Sequence, residues 1–80
     1  MSVVVQVMTR KACHLCEDAE HFVQQLHDEG LCNLMLTDVD ADLQLAVRYG
    51  ADVPIIFIND QEVMRHAVDV ETLRHLVMLA

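Results

Sequence analysis

Val3-Val4-Val5-Gln6-Val7-Met8, the short interval Thr9-Arg10-Lys11-Ala12, and then Cys13-His14-Leu15-Cys16 stand near the start of the chain. The valine-rich run reads as a strand buried on both faces, and the residues beyond the first cysteine begin a helical pattern. A strand that ends in a short loop and hands a CxxC to a helix N-terminus puts the first thiol where backbone N–H groups point. There the positive end of the helix dipole favours thiolate over thiol. The spacing also lets the two sulfurs close a disulfide within one turn. In this setting the pair points to redox chemistry.

Eighty residues, 54% of them apolar, suit one small domain spanning 1–80 with a packed core. No apolar run approaches the roughly 18 residues of a membrane span. The N-terminus carries no basic region, apolar stretch and small-residue cleavage site in series, so no signal peptide is expected. Three cysteines, an odd number, do not make a secreted disulfide scaffold, which points to the cytoplasm. Thirteen acids against five Lys and Arg give a net charge of −8 at pH 7. That balance excludes nucleic acid and anionic membrane as partners, since both select basic patches. Two of the five cations, Arg10 and Lys11, stand just before Cys13, whereas Arg48, Arg65 and Arg74 lie far apart.

The order of elements reads βαβαββα. A first helix is expected over Cys13 to Asp28, with Leu15, Ala19, Phe22, Val23 and Leu26 on its apolar stripe and Gly30 at its end. A second strand follows over Leu31 to Thr37. Asp38 or Asp40 then caps a short helix, Ala41 to Tyr49, closed by Gly50. After Val53 and Pro54, Ile55-Ile56-Phe57-Ile58 reads as a second doubly buried strand. Asn59-Asp60 turns the chain, and Glu62-Val63-Met64 returns as a fourth strand. Asp69 caps a last helix with Val70, Leu73, Leu76, Val77 and Ala80 on one face. The expected architecture is α/β, a mixed four-stranded sheet with helices on both faces.

A strand leading to a CxxC at a helix start, Val-Pro before a β-run, a hairpin and a closing helix together resemble the glutaredoxin-like branch of the thioredoxin fold. In particular the chain is similar to a set of short bacterial glutaredoxin-like proteins, and the resemblance covers nearly all of it. It implies that Cys13 is the nucleophile, Cys16 the resolving thiol, and Pro54 a cis-proline facing them. It also departs from the family pattern. Where glutaredoxins usually carry Pro-Tyr between the cysteines, this chain has His14-Leu15. Where they carry Gly-Gly after the hairpin, a gapless count from Pro54 finds Met64-Arg65. Arg10 matches the basic residue that glutaredoxins often place near the glutathione carboxylate. The glutathione-binding motif is thus incomplete, and glutathione is one candidate reductant beside a thioredoxin-type system.

The chemistry expected of Cys13 is attack as a thiolate on a protein or small-molecule disulfide, giving a mixed disulfide that Cys16 resolves. Arg10, Lys11 and the helix dipole favour the thiolate, while Glu17 and Asp18 oppose it. His14 is a candidate cation beside the disulfide or a mere spacer. Val53 and Pro54 form a candidate platform where an extended peptide adds as a strand. Cys32 reads as a small core hydrophobe, and Met35, Met64 and Met78 as core fillers. A metal site within one chain finds no second ligand pair, because His21 and His27 lie too far along the first helix and the other histidines are scattered. No tightly bound cofactor is called for, and a monomer suffices. A metal-thiolate carrier shared between chains and a non-enzymatic adaptor on the same fold are the alternative readings.

Overall fold

The computed structural model describes residues 3–80. Its elements are β1 (Val4–Thr9), α1 (His14–Asp28), β2 (Asn33–Asp38), a 3-10 turn (Val39–Ala41), α2 (Leu43–Tyr49), β3 (Ile55–Ile58), β4 (Gln61–Arg65) and α3 (Val70–Leu79). The strands lie in the order β2-β1-β3-β4. β1 and β2 are parallel, joined by α1, whereas β3 runs antiparallel to both β1 and β4. The sheet is therefore mixed, as the βαβαββα order implies.

Period-two alternation divides the two central strands between two cores. Val5 and Val7 of β1 and Ile56 and Ile58 of β3 face Ala19, Phe22, Val23 and Leu26 of α1 and Leu73 and Val77 of α3. Met8 and Ile55 face the other way, where Val39, Leu45, Tyr49 and Val53 cover them. Eight of these side chains (Val5, Val7, Val23, Leu26, Val39, Ile55, Ile56 and Leu73) are 0% exposed. Each contributes about 1.5–3 kcal/mol of transfer free energy, so the sheet centre dominates the hydrophobic term.

The ends of the elements follow local chemistry. α1 stops in a Schellman motif: Leu31 N–H donates to Leu26 O at 3.0 Å and Gly30 N–H to His27 O at 2.9 Å. Gly30 supplies the left-handed residue this closure needs, at φ +80. Asn59 and Asp60, at φ +49 and +70, form a tight two-residue hairpin turn. Asn59 also returns to β1, its side chain accepting the Val4 N–H at 3.0 Å. Asp69 caps α3 by accepting the Thr72 N–H at 3.2 Å.

Several details differ from the sequence reading. The cap of α2 is Asp42, which accepts the Gln44 N–H at 2.8 Å, whereas Asp38 caps the 3-10 turn and Asp40 caps neither. Asp38, Asp40 and Asp42 offer the same carboxylate at alternate positions, so backbone geometry makes the choice between them. β2 begins at Asn33 rather than Leu31, because the Schellman closure takes Leu31. Leu15 is 49% exposed and Cys16 takes its place on the buried stripe. Met35 and Met78 are exposed, so only Met64 of the three expected fillers packs against the core. Among the described residues no helix is long and apolar enough to cross a membrane.

Candidate active site

β1 carries the chain out of the sheet at Thr9, and Arg10, Lys11 and Ala12 turn it into α1. The turn needs a left-handed residue, and Ala12 adopts it at φ +56. Cys13 is then the helix N-cap, in extended backbone, and its Sγ accepts the Cys16 N–H at 3.1 Å. Cys13 and Cys16 are joined as a disulfide with their Cα atoms 5.2 Å apart. Cys16 is fully buried, while Cys13 is half-buried and the intervening His14 and Leu15 are exposed. Cys13 thus lies nearer the surface, and Cys16 lies behind it.

Register brings the expected proline to the same end of the sheet. Met8 pairs with Ile55, so the residues that follow β1 and those that precede β3 emerge side by side. The Val53–Pro54 bond is cis, Pro54 is buried, and Val53 packs against Met8, Val39 and Ile55. Ile55 also pairs with Arg65, which brings the end of β4 to this place. His66, at φ +70, donates its backbone N–H to Pro54 O at 2.8 Å. Its ring Nε2 lies 2.9 Å from Asp52 Oδ1. Arg65 bonds Glu62 through two nitrogens at 2.7 Å and reaches Asp52 at 3.2 Å. The Asp52 carboxyl is held below its usual range, first by the His66 hydrogen bond and then by the Arg65 charge.

The Arg10 side chain has partners of its own. Nε and Nη2 of its guanidinium bind Asp40 at 3.1 and 2.7 Å, and Nη1 donates to Gly50 O at 2.8 Å. All three nitrogens are engaged, and they tie the loop before Cys13 to the 3-10 turn and the end of α2. Lys11 is exposed and has no carboxylate partner among the described residues. Behind the loop, the buried Thr9 hydroxyl donates to Glu20 Oε2 at 2.9 Å. A cleft of about 500 Å³ opens there, lined by Thr9, Arg10, Lys11, Ala12, Glu17, Glu20, Leu36 and Asp38.

Cys32 is buried in the core beneath α1, just ahead of β2, and burial pushes its thiol pKa up. The hairpin that carries Met64 and Arg65 is irregular. A register shift between Ile56 and Phe57 leaves Val63 as an extra residue, so Met64 and Arg65 lie inside β4. The left-handed residue comes one place later, at His66. The Asp52–His66 pair and the Arg65 bridge escaped the sequence reading: the Asn59-Asp60 turn alone sets Met64 opposite Ile55, and the bulge at Val63 moves Arg65 there. Among the described residues no three His, Cys, Asp or Glu side chains gather to hold a metal ion.

A mixed sheet of this order, with a cysteine pair at the start of the first helix, defines a thioredoxin-fold protein whose paired cysteines support redox function. Residues 4–78 match the family model described as Glutaredoxin-like domain (DUF836), and the chain belongs to that family. No curated protein matches it. Among solved structures, a point mutant of thioredoxin from Halobacterium salinarum NRC-1 superposes with a TM-score of 0.72 at 25% identity, covering 95% of this chain and 72% of that one. A structure described as a malarial protein gives 0.71 at 23% identity, covering 96% and 94%. Thioredoxin of Fasciola hepatica gives 0.67 at 19% identity, covering 98% and 80%. The last two likenesses concern the fold.

Proposed function

We propose that this chain is a dithiol–disulfide oxidoreductase in which Cys13 attacks and Cys16 resolves. The observation that carries the reading is the difference between the two sulfurs: Cys13 stands half-exposed at the helix N-cap, and Cys16 is sealed behind it. The Cys16 N–H bond and the dipole of α1 favour a thiolate at Cys13 once the pair is reduced. That thiolate attacks one sulfur of the substrate disulfide, and the other sulfur leaves and takes a proton. Cys16 then gives up its proton, attacks Cys13 Sγ and releases the second substrate thiol. Two electrons and two protons pass to the substrate, and the Cys13–Cys16 disulfide forms.

Val53 and the cis-linked Pro54 serve in this reading as the platform on which an extended substrate segment lies. Lys11 and His14 flank the thiolate, and Arg10 acts at one remove by holding their loop. The protein works as a cytoplasmic monomer without a bound cofactor, reduced by glutathione or by a thioredoxin-type dithiol. Titrating the pair in glutathione buffers of graded potential, with a mass readout, tests this directly. A single two-electron transition that vanishes in Cys13→Ser and Cys16→Ser is expected. Disulfide reduction by the wild type no faster than by the double mutant would end the proposal.

A further inference from the structure

We infer that the disulfide this site takes is flanked by positive charge; the inference rests on the oxidoreductase reading above. The cleft beside Cys13 carries Glu17, Glu20 and Asp38 against Arg10 and Lys11. Arg10 is neutralised by Asp40, which leaves Lys11 facing three carboxylates. At the end of β4, opposite Ile55, Arg65 is likewise held by Glu62 and Asp52. Asp18 adds a further exposed acid to the first turns of α1, and the histidines at this end, His14 and His66, are both exposed.

The field at the mouth of the site is therefore negative, and it has the same sign as the whole chain, which carries −8 at pH 7. Such a field raises the encounter rate of cations and lowers that of anions, by about tenfold or more where salt does not screen it. Glutathione disulfide is an anion and meets this field as a like charge. Arg10, engaged on all three nitrogens, and Arg65, held by Glu62 and Asp52, are not free to offset that, and Arg48 of α2 lies over the Tyr49 ring. A disulfide set between lysines or arginines meets the complementary sign.

The test uses the reduced full chain and three disulfide-linked dimers, of Ac-Lys-Cys-Lys-amide, Ac-Ser-Cys-Ser-amide and Ac-Glu-Cys-Glu-amide. Rates of Cys13–Cys16 oxidation are each divided by the rate of the same dimer with dithiothreitol, which removes differences in leaving-group reactivity. The expected order is lysine, serine, glutamate, with about a tenfold span at low ionic strength that shrinks toward unity at about 1 M salt. Glu17→Lys narrows the span, and circular dichroism confirms that the variant is folded. Cystamine beside the lysine dimer shows whether a small dication suffices or a peptide backbone adds to it; either result keeps the charge preference. Equal normalised rates for the three dimers, or glutamate fastest, overturn the inference while leaving the oxidoreductase reading intact. Failure of all three dimers to oxidise the pair overturns both.

Discussion

Arg10 and Asp40 form a two-point ion pair, Nε to Oδ2 at 3.1 Å and Nη2 to Oδ1 at 2.7 Å, that fastens the loop before Cys13 to the 3-10 turn. The arginine pKa is raised by that hydrogen bond and by the Asp40 charge. Both groups are partly exposed, so the pair's value lies more in placing the loop than in stability. Arg10→Gln and Asp40→Asn should each lower the melting temperature by only about 1–4 °C. Amide exchange at Lys11, Ala12 and Cys13 should rise several-fold in both. Both changes break the ion pair and only Arg10→Gln also gives up the Gly50 bond, so the double variant should melt close to Arg10→Gln. Additive losses would show that the residues act separately.

Ala12 holds the left-handed backbone, at φ +56, that the turn into α1 demands. That conformation costs a residue with a Cβ about 1–2 kcal/mol, against about 0.4–1 kcal/mol of extra unfolded-chain entropy for glycine. Strain wins by a small margin. Ala12→Gly should therefore stabilise the protein by about 0.5–1 kcal/mol, raising the melting temperature by about 3–6 °C. A β-branched residue at the same place, Ala12→Val, should do the reverse. Thermal denaturation of the three proteins checks the ranking.

Most of the fold was legible because its signals are local. Val5 and Val7, Ile56 and Ile58, and the stripe Ala19, Phe22, Val23 and Leu26 announce their own burial by periodicity. The CxxC and Val53-Pro54 could be placed for the same reason, each being a contiguous motif. What the sequence concealed depends on contacts between distant segments. Nothing near Arg10 says that Asp40, thirty positions on, will take its guanidinium. Nor does anything near Pro54 say that a bulge at Val63 will carry His66 to its carbonyl. The sequence offered Asp38 or Asp40 as the cap of α2, and only the three-dimensional path of the chain gives that place to Asp42.

The three cysteines should separate by reactivity. Cys13 is half-buried at a helix N-cap, whereas Cys16 and Cys32 lie within the core at 0% and 7% exposure, and the same order of access is expected once the pair is reduced. The Cys32 thiol pKa is raised by burial, which keeps it protonated and inert near neutral pH. Brief treatment with iodoacetamide should therefore place one label on Cys13, and the other two thiols should react only in denaturant. Peptide mapping by mass spectrometry reads the order. Labelling of Cys32 ahead of Cys13 would contradict the assignment of Cys13 as the exposed nucleophile.

Glu29 at the end of α1 accepts two hydrogen bonds from Arg74 of α3, at 2.6 and 3.0 Å, and this clasp should give the protein a measurable acid limb. The arginine holds the Glu29 carboxyl below its ordinary 4.5, its hydrogen bond outweighing the opposing effect of burial. As pH falls, the unfolded chain takes up this proton before the folded one does. The clasp's contribution is therefore fully present above about pH 4.5 and is lost as pH drops through the lower folded value. Glu29→Gln removes the charge, so its melting temperature should trail the wild type by about 1–4 °C near neutral pH. The gap should close below that pH. Protonation of the other acids also relieves the repulsion of a chain at −8, but both proteins share that gain and the difference cancels it. High salt should narrow the gap near neutral pH as well, since both partners are partly exposed. A gap that stays constant from neutral to acid pH would mean that Glu29 contributes through packing and not through its charge.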